Sequence, residues 1–155
     1  MSPRGLLKLI FFLAVVVAFG GCAKAEFELA DGTSLGLSDL RGKWLIVNYW
    51  AEWCAPCRME IPELNQLSEE RSPDVVVLGV NFDGLSGPPL LKLKEKMGIR
   101  FSVLISDPGP RWQADRPTVL PTTLLITPDG KLQDVLVGPQ TRQSLEQAMH
   151  LTTSM

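Results

Sequence analysis

Residues 45–50 (LIVNYW) form a compact apolar and aromatic run. Three residues later comes Cys54-Ala55-Pro56-Cys57, and then Ile61, Leu64 and Leu67 at i, i+3, i+6 spacing. This order constrains the chain more than any other feature. A compact apolar run of this kind reads as a strand buried on both faces, and the spacing after it as a helix with one apolar stripe. The two cysteines therefore stand where a strand hands over to a helix N-terminus. Three residues apart, they lie on one face of the first turn, so a disulfide can close there without moving the backbone. The helix end carries roughly half a positive charge and unpaired amide donors, which stabilise a thiolate. Cys54 is expected to be the more exposed sulfur and the attacking nucleophile, with Cys57 resolving the mixed disulfide. Pro56 suits an early helical position and stiffens the loop.

The remaining pattern alternates strands and helices. Residues 26–41 hold two short alternations around Asp31-Gly32, a hairpin signal. The helix after the cysteines is expected to reach about Arg71 and to kink at Pro62, which removes a backbone donor. Residues 75–82 (VVVLGVNF) read as a second buried strand. Residues 84–89 (GLSGPP) read as a loop; they lack the frame of a phosphate cradle. Residues 90–97 read as an amphipathic helix whose Lys92, Lys94, Glu95 and Lys96 form a solvated face. Residues 101–105 and 122–127 are short strands. The turn at Pro128-Asp129-Gly130 leads to a strand at 132–137 and a closing helix at 141–151. The expected class is α/β, with a mixed sheet flanked by helices in one domain.

Composition removes several functions. A net charge of −2 over 155 residues offers no concentrated basic face for nucleic acid. Zinc fails on ligand count, because Cys54 and Cys57 could be joined only by Cys22 and by His150, the single histidine, read as surface. A purely structural disulfide is a weak reading, since so short a loop removes little unfolded-chain entropy. A thiol peroxidase would need Thr or Ser three residues before Cys54, where the chain has Ala51.

Residues 1–25 read as an export signal: Arg4 and Lys8, then an apolar run at 9–19 (LIFFLAVVVAF), then small residues. Eleven residues make only ~16 Å of helix, short of a ~30 Å hydrocarbon core. Two cleavage readings stand side by side. Residues 19–22 (FGGC) resemble a bacterial lipobox that would lipidate Cys22, with Phe where Leu is usual; Ala23-Lys24-Ala25 offers an A-x-A site instead. Removing residues 1–21 leaves 13 basic and 17 acidic side chains, a net charge of −4.

The segment 50–57 (WAEWCAPC), with Pro62 eight residues after Cys54, resembles the active-site segment of the thioredoxin superfamily. The wider pattern is closer to its exported TlpA/ResA-like thiol–disulfide oxidoreductases: LSDLRGK at 37–43, NYW at 48–50, CRMEIP at 57–62, LPTT at 120–123 and DGK at 129–131. The resemblance implies a thioredoxin fold over residues 26–155 with an added N-terminal hairpin and a central insertion. It implies a cis-proline at Pro121, a substrate-pairing backbone at Leu120, a contact surface shaped by Trp53 packed beside Cys54, and Glu60 as acceptor or relay for the Cys57 proton. A solvated helical Glu is the plain alternative for Glu60. Cytosolic thioredoxins carry a buried Asp where this chain has Asn48, which cannot titrate. The implied cofactor is none beyond the Cys54–Cys57 disulfide itself. The implied partners are protein disulfides, apocytochrome c among them, a membrane thiol donor of the DsbD/CcdA type, and the membrane through a lipid on Cys22. The expected activity is disulfide reduction on the periplasmic side of a bacterial membrane. A non-catalytic binding module on the same scaffold and a disulfide-forming oxidase are the alternatives.

Overall fold

The computed structural model describes residues 26–150; the expected export segment, including Cys22, lies outside the described residues. The chain opens with β1 (Phe27–Glu28) and β2 (Ser34–Leu35), an antiparallel hairpin. The hairpin expected over 26–41 ends at Leu35. Beyond it, α1 (Leu37–Leu40) is a single helical turn whose start is held by the Gly36 amide donating to Asp39 Oδ2 at 2.7 Å. Then follow β3 (Trp44–Trp50), α2 (Ala55–Glu70), β4 (Val75–Asn81), α3 (Gly87–Lys96) and β5 (Ser102–Leu104). A short 3-10 turn (Gly109–Trp112) leads to β6 (Thr122–Ile126), β7 (Leu132–Val137) and α4 (Arg142–Ala148).

α2 keeps Pro62 inside one continuous helix that ends at Glu70, near the expected Arg71; Pro62 is exposed, so the carbonyl it leaves unpaired one turn back lies on the solvent side. One expectation is corrected here. Gly87, Pro88 and Pro89 are not loop but the first turn of α3, where the amide that proline lacks would have no partner anyway. The closing helix ends at Ala148, and Leu151 lies outside the described residues.

The five-stranded sheet has the order β5-β4-β3-β6-β7. β3, β4 and β5 are parallel, and β6 and β7 antiparallel to their neighbours. Period-two alternation along β3 divides the core. Ile46 and Trp50 face the layer of α2, α3 and α4, with Ile61, Leu64, Leu67, Leu90 and Leu145. Leu45, Val47 and Tyr49 face the other side, under Phe27, Leu29 and Leu40. Both parallel crossovers run toward the β5 edge, so their right-handed sense puts α2 and α3 on one face. The hairpin segment seals the β5 edge: the Ala30 amide donates to Val103 O at 2.8 Å, and Ile105 to Glu28 O at 3.1 Å. Parity also fixes the position that matters most for the site. Asn48 and Thr123, directly paired in the β3–β6 register, share the helix-side face with Ile46 and Trp50.

Candidate active site

β3 ends at Trp50, and a three-residue link brings the chain to Cys54, the N-cap of α2. Cys54 and Cys57 are joined as a disulfide with their Cα atoms 5.3 Å apart. The Cys57 amide donates to Cys54 Sγ at 3.2 Å, so one of the orphan donors of the helix start is aimed at the outer sulfur. Cys54 keeps 4% of its surface exposed and Cys57 none, the order expected from their places on the first turn. A negative charge on Cys54 would sit against the positive end of a 16-residue helix.

Glu60, one turn further along α2, is buried, with 1% of its surface exposed. The structure thus excludes the solvated reading. Its Oε1 accepts from Asn48 Nδ2 at 2.7 Å, and its Oε2 from the Gln140 backbone amide at 3.0 Å. Burial disfavours the carboxylate and pushes its pKa up to about 7, while the two donors pull the other way. Helical i, i+3 spacing puts Glu60 on the same face as Cys57.

The Leu120–Pro121 peptide is cis. Thr122 pairs with Tyr49, so Pro121 lies at the level of Trp50, where β3 gives way to the cysteine segment. Pro121 is buried and Leu120 half-buried, and the Pro121 carbonyl accepts from the Gly138 amide at 2.9 Å. Pro56 is half-buried in the first turn of α2. Trp53 is turned outward with 63% of its surface exposed. Its ring meets Phe82 edge-on at 6.1 Å, and its Nε1 donates to Asp83 Oδ1 at 3.1 Å. Phe82 and Asp83 thus fix Trp53, and the Arg116 guanidinium lies over the Phe82 ring at 4.6 Å. His150 is exposed.

Sequence reading singled out Asn48 only as a residue that cannot titrate. Its contact with Glu60, and the roles of Thr123 and Gln140 around it, were missed. Parity along β3 placed Asn48 on the helix side. Which helical residue it meets depends on how α2 crosses the strand, and no local pattern encodes that.

A redox dithiol at a helix N-terminus, on a mixed sheet with a cis-proline beside it, defines a thiol–disulfide oxidoreductase of thioredoxin fold. Comparison with known proteins agrees. A family model described as AhpC/TSA matches residues 21–135. The thiol-disulfide oxidoreductase ResA of Geobacillus kaustophilus is 32% identical over 142 residues, covering 88% of this chain and 79% of the relative. ResA of Bacillus subtilis is 34% identical over 134 residues, covering 84% and 74%. Among solved structures, a DsbF homologue from Corynebacterium diphtheriae superposes with a TM-score of 0.68 at 24% identity, over 80% of this chain and 81% of that one. An exposed lipoprotein thioredoxin from Streptococcus pneumoniae gives 0.65 at 27% identity, over 81% and 96%. The chain belongs to the AhpC/TSA redoxin family, as a TlpA/ResA-like member. The segment before Cys54 has Ala51 where a thiol peroxidase would need a hydroxyl.

Proposed function

We propose that this protein is an exported reductase of protein disulfides. In the first step the Cys54 thiolate attacks one sulfur of a substrate disulfide. A Cys54–substrate bond forms, the substrate S–S bond breaks, and one substrate thiolate leaves. In the second step Cys57 passes its proton to Glu60 and attacks Cys54 Sγ. The Cys54–Cys57 disulfide closes, and the second substrate sulfur leaves as a thiolate that Glu60 can reprotonate. Two electrons pass from the dithiol to the substrate; a membrane thiol donor of the DsbD/CcdA type would reopen the disulfide.

The observation that carries this reading is the buried Glu60, one turn inside Cys57 and poised near neutrality. A dithiol acting as an electron donor must release the proton of its buried resolving thiol, and this carboxylate gives it somewhere to go. Trp53, with Pro56, Leu120 and Pro121, would form the surface on which an extended substrate lies. Exposed Val119, adjoining Leu120, would extend that apolar rim. Export is supported by the apolar run at 9–19 and by the similarity to the pneumococcal exposed lipoprotein thioredoxin. Cys22 would carry the lipid, and among the described residues no helix is long and apolar enough to cross a membrane. Disulfides of apocytochrome c and of other periplasmic proteins are the substrates assigned, from the likeness to the ResA proteins.

The test is direct. Cys57→Ser should accumulate a mixed disulfide through Cys54, and the wild type should reduce a model disulfide protein such as insulin. A reduction potential near about −270 mV fits a reductant, and one near about −120 mV marks an oxidase. Absence of a trapped adduct, together with partner capture undiminished in a Cys54→Ala/Cys57→Ala double variant, would leave a binding module instead.

A further inference from the structure

Asn48 is buried in the middle of the sheet, and its amide is used in an unbalanced way. One N–H of Nδ2 points at Glu60 Oε1, 2.7 Å away, and the other at Thr123 Oγ1, 3.0 Å away across the β3–β6 register. Its Oδ1 is buried with no partner. A buried carbonyl oxygen left unpaired is costly, and an Asn serving only to fill space would be exchanged for a residue without that cost. The arrangement is intelligible if what matters is the donor end.

We propose that Asn48 is a positioning residue that keeps Glu60 able to accept a proton, through a donor clamp anchored on Thr123. The surroundings of Glu60 support this. On α2 its titratable neighbours at helical spacing are Cys57 and Glu63, the latter accepting from the Arg142 backbone amide at 2.9 Å; β3 contributes Asn48, with Thr123 of β6 behind it, and the lead-in to α4 contributes the Gln140 amide. Among the described residues, no charged side chain contributes to the shift at Glu60. Two neutral donors alone therefore oppose the desolvation that would keep the acid protonated. The Gln140 donor belongs to the backbone, so Asn48 is the one that side-chain chemistry can alter. Without it Glu60 would hold its proton through neutral pH and could not take another from Cys57. The step in which Cys54 attacks a substrate would be untouched.

This inference rests on the reading of Glu60 as proton acceptor, and the experiment separates the two. Reduced protein is mixed with excess dithiobis(nitrobenzoate). Attack by Cys54 releases the first thionitrobenzoate in a phase that depends on reagent concentration. Attack by Cys57 on the resulting mixed disulfide releases the second in a phase that does not. Each is followed against pH in the wild type, Glu60→Gln, Asn48→Leu and Asn48→Asp. Asn48→Leu should move the pH midpoint of the second phase upward by about one unit, a tenfold change in proton affinity, since a hydrogen bond to a charged group is lost. Asn48→Asp should move it upward as well, because two carboxylates in contact cannot both ionise. Neither should change the first phase. A second phase unaltered in Glu60→Gln removes the Glu60 reading and this inference with it. A second phase altered in Glu60→Gln but unmoved in Asn48→Leu, or slowed there equally with the first, overturns the Asn48 clamp alone. If Asn48→Leu does not fold, an unmoved or lowered midpoint in Asn48→Asp overturns it.

Discussion

Glu60 should leave a signature in folding stability that needs no redox chemistry at all. Its pKa lies near the ordinary 4.5 in the unfolded chain and at about 7 in the folded one. Between those values the native state binds more protons than the unfolded state, so stability falls as pH rises. The fall starts near pH 4.5, where the unfolded chain begins to lose the proton, and levels off once the native acid has ionised, above pH 7. A difference of about 2.5 units at 1.36 kcal/mol each makes about 3 kcal/mol in all. Other carboxylates titrate in the same range, so the quantity to follow is the difference between wild type and Glu60→Gln. Urea unfolding of both proteins, kept oxidised so that neither cysteine titrates, gives that difference by linear extrapolation from pH 4 to pH 8. Glu60→Gln should gain on the wild type by about 3 kcal/mol across the interval. A difference that stays flat would mean that Glu60 titrates as an ordinary exposed acid, and the proton path through it would go with it.

Two further changes probe the scaffold that holds the site. A Cβ added at Gly79 would stand 2.8 Å from Trp50 Nε1 and 3.0 Å from Phe101, so Gly79→Ala should cost about 1–3 kcal/mol in urea unfolding. A cost near zero would show that the helix-side core under β3 is looser than described. Thr141 caps α4, its side chain accepting from the Ser144 amide, and Thr141→Ala should cost about 1 kcal/mol by the same measurement.

The elements that were legible in the sequence are those whose own composition decides them. β3 and β4 are apolar apart from Asn48 and Asn81, and each appears within a residue or two of where the run of apolar side chains sits. The cysteine pair was readable because strand, spacing and helix pattern agree locally. What failed to read are features decided by place within an element or by distant partners. The two prolines of α3 are helical because they fall in its first turn, where a missing amide costs no bond. Leu37–Leu40 looked like the second arm of a hairpin; the Asp39 cap turns it into helix instead. The Asn48–Glu60–Gln140 contacts join residues 12 and 80 positions apart, and only the folded chain brings them together.

The sealing of the β5 edge has a consequence for assembly. Among the described residues, β7 is the sheet's one edge strand with no neighbour on its outer side. A sheet with two open edges can add chain after chain without limit; a sheet with one cannot. Two copies meeting edge to edge at β7 would form a closed pair with nothing left to extend. By giving up its own first strands to stopper one side, the chain makes a two-fold dimer the largest object that strand addition can build from it.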